Sequence, residues 1–150
     1  MQARVVSQTA TSSVNYVIPG MGLTVRAVCS TSGTQSAFYF FDIDASLGSY
    51  TVIGSYQLRL TSGNVRGYLF FGAAQHSLVS GLGPIDYTEP GLGNNNITQL
   101  VLDSSTGGGT MTGTVTATRG SKSVVVHFDF YRTIGTTNEC FSRADVTLAG

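Results

Sequence analysis

The chain reads as all-β: a single-domain antiparallel β-sandwich over residues 1–150, jelly-roll or immunoglobulin-like, with a closed β-barrel as the alternative. Three observations predict it. Apolar and polar residues alternate with a period of two from Thr110 to Tyr131 on both arms of one hairpin. Turn signals recur between short runs of this kind along the chain. No segment carries a convincing helical period, and no 20–50-residue repeat points to a propeller or solenoid.

The hairpin sets the register. Gly120-Ser121 reverses the chain, and a glycine first in a two-residue loop suits a type II′ turn. Arg119 then faces Lys122, Ala117 faces Val124, Val115 faces Val126, Gly113 faces Phe128 and Met111 faces Phe130. These pairs make the buried face. Thr112, Thr114, Thr116 and Thr118 lie on the other, opposite Asp129, His127, Val125 and Ser123.

In chain order, residues 3–9 and 13–18 are extended, and Pro19-Gly20 turns the chain. Leu23 to Cys29 alternates as a strand, and residues 30–34 form a loop. Ala37 to Ile43, AFYFFDI, is almost continuously apolar, as a central strand covered on both faces requires. A second hairpin is expected with Ser62-Gly63 as its loop, pairing Leu60 with Val65, Leu58 with Gly67 and Tyr56 with Leu69. Arg59 would then oppose Arg66, and Gly67 would leave space over Leu58 for close packing. Ser80 to Asn96, rich in Gly, Pro and Asn, reads as a long surface loop with at most a short strand at Ile85–Tyr87. Ile97–Leu102 is a strand, 104–109 a link, 135–138 a turn, and Arg143–Leu148 the last strand, giving nine or ten in all.

Composition narrows the function classes. Charged residues are 11% and the formal net charge is zero, so the basic footprint that nucleic acid requires is missing. Hydrophobic residues are 41%, enough for a packed core. No apolar run reaches the length of a membrane span. Cys29 and Cys140 lie at strand ends, and an even cysteine count in a chain rich in Ser, Thr and Gly predicts a disulfide and an oxidising compartment. The N-terminus has no signal-peptide pattern. The expected location is therefore extracellular or surface-exposed, with the signal absent from this sequence.

No nucleophile elbow, phosphate loop, dinucleotide fingerprint or zinc-protease motif occurs, so no enzyme and no cofactor are expected. The weak metal candidates are Asp42 and Asp44 on one strand with His127 and Asp129 on another; they converge only if those strands are neighbours, and otherwise face solvent. His76 is expected to be exposed. Asp86, Tyr87, Glu89, Asn94, Asn95 and Asn96 make the 80–96 loop a possible binding loop, with oxygen ligands of the kind calcium takes. Asn96-Ile97-Thr98 is a glycosylation sequon. The threonine row 110–118 would suit an ice-binding surface, but Val125, His127 and Asp129 interrupt it.

Three classes of function follow. The first is a non-enzymatic extracellular structural or interaction domain: a fibre, filament or coat subunit, or an adhesion module. Its partner would be itself, through strand addition by residues 3–18, or a cell-surface molecule. The second is carbohydrate binding at the 80–96 loop. The third is a small-molecule-binding barrel lined by Phe38, Phe40, Phe70 and Phe71.

Overall fold

A computed structural model describes residues 2–8, 13–29, 35–60, 66–91, 93, 97–103, 108–133 and 139–149. The expected loops at 30–34 and 135–138, the Ser62-Gly63 loop and most of the 104–109 link lie outside these residues.

Among the described residues there are twelve strands: β1 (Gln2–Gln8), β2 (Ser13–Ile18), β3 (Leu23–Cys29), β4 (Gln35–Asp42), β5 (Tyr50–Leu60), β6 (Arg66–Phe71), β7 (Ala74–Leu78), β8 (Gly81–Glu89), β9 (Ile97–Asp103), β10 (Gly109–Arg119), β11 (Lys122–Thr133) and β12 (Glu139–Ala149). A short 3-10 turn, Ala45–Leu47, separates β4 from β5. The strands form two antiparallel six-stranded sheets, β1-β12-β11-β10-β5-β8 and β2-β3-β4-β9-β6-β7. Neither closes on the other, so the fold is a β-sandwich and not a barrel.

The core lies between the sheets. Val115, Ala117, Val124, Val126 and Phe128 of the first sheet meet Leu23, Val25, Ala27, Phe38 and Leu100 of the second. Phe38 and Phe128 stack across the layer with centroids 4.8 Å apart. Phe38 and Phe40, read as cavity lining in the barrel alternative, are core residues, and Phe70 packs instead in a separate cluster.

The β10–β11 hairpin has the predicted register at every pair from Arg119↔Lys122 to Met111↔Phe130. Gly120 has φ +62° and, among the described residues, no non-glycine has positive φ, as a II′ turn demands. The second expected hairpin does not form. β5 pairs with β10 and β8 in the first sheet, whereas β6 pairs with β7 and β9 in the second. The alternation had identified the inward residues but not their neighbours. Leu58 and Gly67 do meet, across the sandwich: a Cβ at Gly67 would stand 2.7 Å from Leu58 Cδ2. Arg59 and Arg66 consequently pair with Thr110 and Asp103 in different sheets.

The N-terminal strands are used within the chain. β1 pairs with β12, and β2 pairs with β3. Both strands are paired on one side and stand at sheet edges, so the expected strand addition by residues 3–18 to another subunit is not needed to pair them. Cys29 and Cys140 form a disulfide that ties β3 to β12, hence sheet to sheet, with Cα atoms 5.7 Å apart. It bridges residues 111 apart in sequence and points to a non-reducing compartment. No helix among the described residues is long and apolar enough to cross a membrane.

Candidate functional site

The four weak metal candidates part company. Because β4 and β11 belong to opposite sheets, Asp42 and Asp44 do not meet His127 and Asp129. Asp42 ends β4 on its inward face and is fully buried, which corrects its expected place in solvent. Arg119, also inward, grips it: Nη1 donates to Oδ1 at 2.9 Å and Nη2 to Oδ2 at 3.1 Å. The same guanidinium donates to the carbonyls of Met21, Gly22 and Gly48 and lies 5.7 Å from the centre of the Tyr50 ring. This is a structural clamp between sheets whose donors are spent internally. Asp44 is exposed, and Ser46 N and Oγ donate to its carboxylate, holding its pKa below the usual range. Among the described residues, no group of three or more His, Cys, Asp or Glu side chains is placed to hold a metal ion.

His127 and Asp129 lie on the outer face of the first sheet, where the expected alternation puts them. Register aligns Arg4, Asp145, His127, Thr114 and Ser55 across five strands. Arg4 Nε donates to Asp145 Oδ1 at 2.7 Å, and Thr114 Oγ1 is 2.8 Å from His127 Nδ1. Arg143 lies 3.6 Å from both Asp129 and Asp145. Shallow, open depressions of about 540 and 330 Å³ lie over this lattice. Two arginines and two aspartates neutralise one another here. Solvent-screened pairs of this kind contribute little energy and leave no unbalanced charge to select a ligand.

The expected 80–96 loop is largely strand. β8 covers Gly81–Glu89 at the edge of the first sheet. Ile85, Tyr87 and Glu89 point inward and are buried; Pro84, Asp86 and Thr88 are exposed. Gly and Pro signalled a loop, but an edge strand tolerates proline because one side of its backbone needs no partner. Tyr87 therefore offers no binding ring: it stacks on Phe71 at 5.6 Å, and Phe71 stacks on the exposed His76 at 4.4 Å. Glu89 sits in a buried polar knot, accepting from Thr98 Oγ1 at 3.3 Å, while Tyr50 Oη and Thr98 Oγ1 are 2.8 Å apart. Burial raises the Glu89 pKa, and likewise those of Tyr50 and Tyr87. Asn94, Asn95 and Asn96 lie outside the described residues.

The more promising surface is one the sequence reading did not single out. β4 places Phe38 and Phe40 inward, and Tyr39 and Phe41 outward. On this outer face of the second sheet, Ala37, Tyr68 and Val101 form a buried cluster, with Val28, Tyr39 and Phe70 packed against it. Beside it runs one row in register: Asn15, Arg26, Tyr39, Gln99, Phe70 and Gln75, one residue from each of the six strands. Arg26 Nε donates to Asn15 Oδ1 at 2.6 Å, and its guanidinium lies 4.2 Å over the Phe41 ring. Tyr39 is hydrogen-bonded to Gln99, and burial raises its pKa. Phe70 meets Tyr68 edge-on at 5.2 Å. Asn15 and Gln75 are exposed, and the four residues between them are partly so. The signal was present in AFYFFDI and GYLFF: continuous apolar runs, unlike alternating ones, announce that both faces of a strand are apolar.

No protein-family model matches the chain, and no curated protein matches it.

Proposed function

We propose that this chain is a non-catalytic attachment domain, extracellular or surface-displayed, that docks through the outer face of its second sheet. The row from Asn15 to Gln75 carries the reading: ring faces and hydrogen-bonding side chains alternate across the whole width of the sheet. Interfaces are enriched in this mixture of Tyr, Phe and Arg. The disulfide and the Arg119–Asp42 clamp support it, because both brace the two sheets and so keep the face rigid before binding. The first sheet's outer face supports it by contrast, since its ion pairs already satisfy each other.

The test compares Tyr39→Ala/Phe70→Ala with Thr112→Ala/His127→Ala on the opposite face. Retention is measured on immobilised neutral polysaccharides, acidic polysaccharides and anionic vesicles, and self-association by light scattering over a concentration series. At least one of these is expected to hold the wild type and to release the Tyr39/Phe70 variant. Retention that depends on Thr112 and His127 instead, or no retention and no association anywhere, would overturn the proposal.

A further inference from the structure

We infer that the Asn15–Arg26–Tyr39–Gln99–Phe70–Gln75 row is a binding site for an extended, uncharged polysaccharide chain lying across the strands of the second sheet. This rests on the docking reading above and names its ligand class.

The geometry is linear. Six strands spaced about 4.8 Å apart make a row about 24 Å long. Its outermost strands, β2 and β7, are the edges of the sheet among the described residues, so the row runs from one edge to the other and suits the interior of a polymer. The chemistry alternates in the way a sugar chain does. Each sugar unit has an apolar C–H face and a rim of hydroxyls, each both donor and acceptor. Tyr39 and Phe70 offer ring surfaces; Asn15, Arg26, Gln99 and Gln75 offer amide and guanidinium groups between and beyond them.

The row is also held in place before any ligand arrives. Arg26 is fixed by Asn15 on one side and by the Phe41 ring beneath it. Tyr39 is fixed by Gln99, and Phe70 by its edge contact with Tyr68. Side chains ordered in advance lose little entropy on binding, which matters for a ligand that gains only small increments per unit.

Other occupants fit less well. A second copy seated face to face would dehydrate the amides of Asn15, Gln75 and Gln99 without assured partners, at a cost that sugar hydroxyls avoid. An extended peptide would use a sheet edge and its free backbone groups. An acidic polymer or membrane would call for a cluster of basic side chains, whereas Arg26 is the single basic side chain of the row.

The experiment is affinity gel electrophoresis of the disulfide-intact protein through gels containing a soluble β-glucan, galactomannan, xylan, hydroxyethyl cellulose, alginate or hyaluronan. Retardation by at least one of the four neutral polymers is expected, little changed by 0.5 M salt. Phe70→Ala should weaken it at least tenfold. Gln75→Ala and Asn15→Ala, both exposed and so harmless to folding, should each weaken it several-fold; Thr112→Ala should leave it unchanged. The inference is overturned by retardation in alginate or hyaluronan alone that fades with salt, by neutral-polymer binding indifferent to Gln75, Asn15 and Phe70, or by no neutral-polymer binding at all. Dimerisation lost in Phe70→Ala, without polymer binding, would sink the polysaccharide and leave the docking face standing. Absence of polymer binding, vesicle binding and self-association would sink both.

Discussion

Arg119 and Asp42 illustrate what one pair of side chains contributes to this sandwich. Both are removed from water, so the net worth of the pair is smaller than its Coulomb attraction, but leaving either partner alone is costly. Arg119→Met should therefore destabilise by about 3–5 kcal/mol, the usual cost of orphaning a buried charge. Arg119→Met/Asp42→Leu should recover a large part of that loss; equal costs for the single and double variants in urea unfolding would show that the guanidinium's bonds to Met21, Gly22 and Gly48 matter more than the pair. Glu89 makes the complementary point. Burial raises its pKa, so the folded state holds the proton more tightly than the unfolded chain. The stability this contributes is complete below the ordinary carboxyl range and is lost as pH rises through the raised value. Glu89→Gln should flatten the fall in melting temperature between pH 4 and pH 7; an unchanged slope would assign that fall to other groups. Neither residue's role was legible in the sequence. Asp42 meets Arg119 across 77 positions, and nothing local to either residue marks the other as its partner.

At the level of elements, legibility followed the kind of information that alternation carries. Period-two alternation states which side chains face the core, and a two-residue Gly-Ser turn states which strand is next. β10 and β11 have both signals, and their register was readable residue by residue. β5 and β6 carry alternation and a Ser62-Gly63 turn signal as well; their inward faces were read correctly, but the same alternation is satisfied by facing each other across the layer, and a short Ser-Gly pair does not by itself fix which strand is the neighbour. β8 was masked by its Gly and Pro residues; AFYFFDI did mark a central strand, whose outward side is buried at Ala37 and only partly so at Tyr39 and Phe41, a difference the continuous run does not encode. The hairpin gives a direct test of one-sided burial. Phe128→Ala should cost about 3–5 kcal/mol, because its ring is stacked in the core. Thr114→Ala, which removes only a surface bond to His127, should cost well below about 1 kcal/mol. Similar values from chemical denaturation would mean that both faces of the first sheet are buried in solution.

For the whole molecule, the decisive arrangement is how the chain's two ends are tied. β1, at one edge of the first sheet, covers β12; β12 is in turn tied to β3 of the second sheet by the disulfide. Closing a loop between residues 111 apart stabilises by about 2–5 kcal/mol, mostly by restricting the unfolded chain. At about 2–4 °C per kcal/mol for a domain of this size, Cys29→Ala/Cys140→Ala should melt on the order of 10 °C lower while keeping its sheets. Removing residues 1–12 tests the other tie. It deletes β1, withdraws Ala3 from the core edge and bares the backbone of β12, while the disulfide and β11 still hold β12 in place. The truncated chain should therefore stay folded by circular dichroism, melt at a lower temperature, and associate with rising concentration in light scattering, because an exposed strand edge is a template for pairing. Strand donation between subunits predicts the reverse: assembly in the intact chain that truncation abolishes, with the melting temperature of the remaining monomer unchanged.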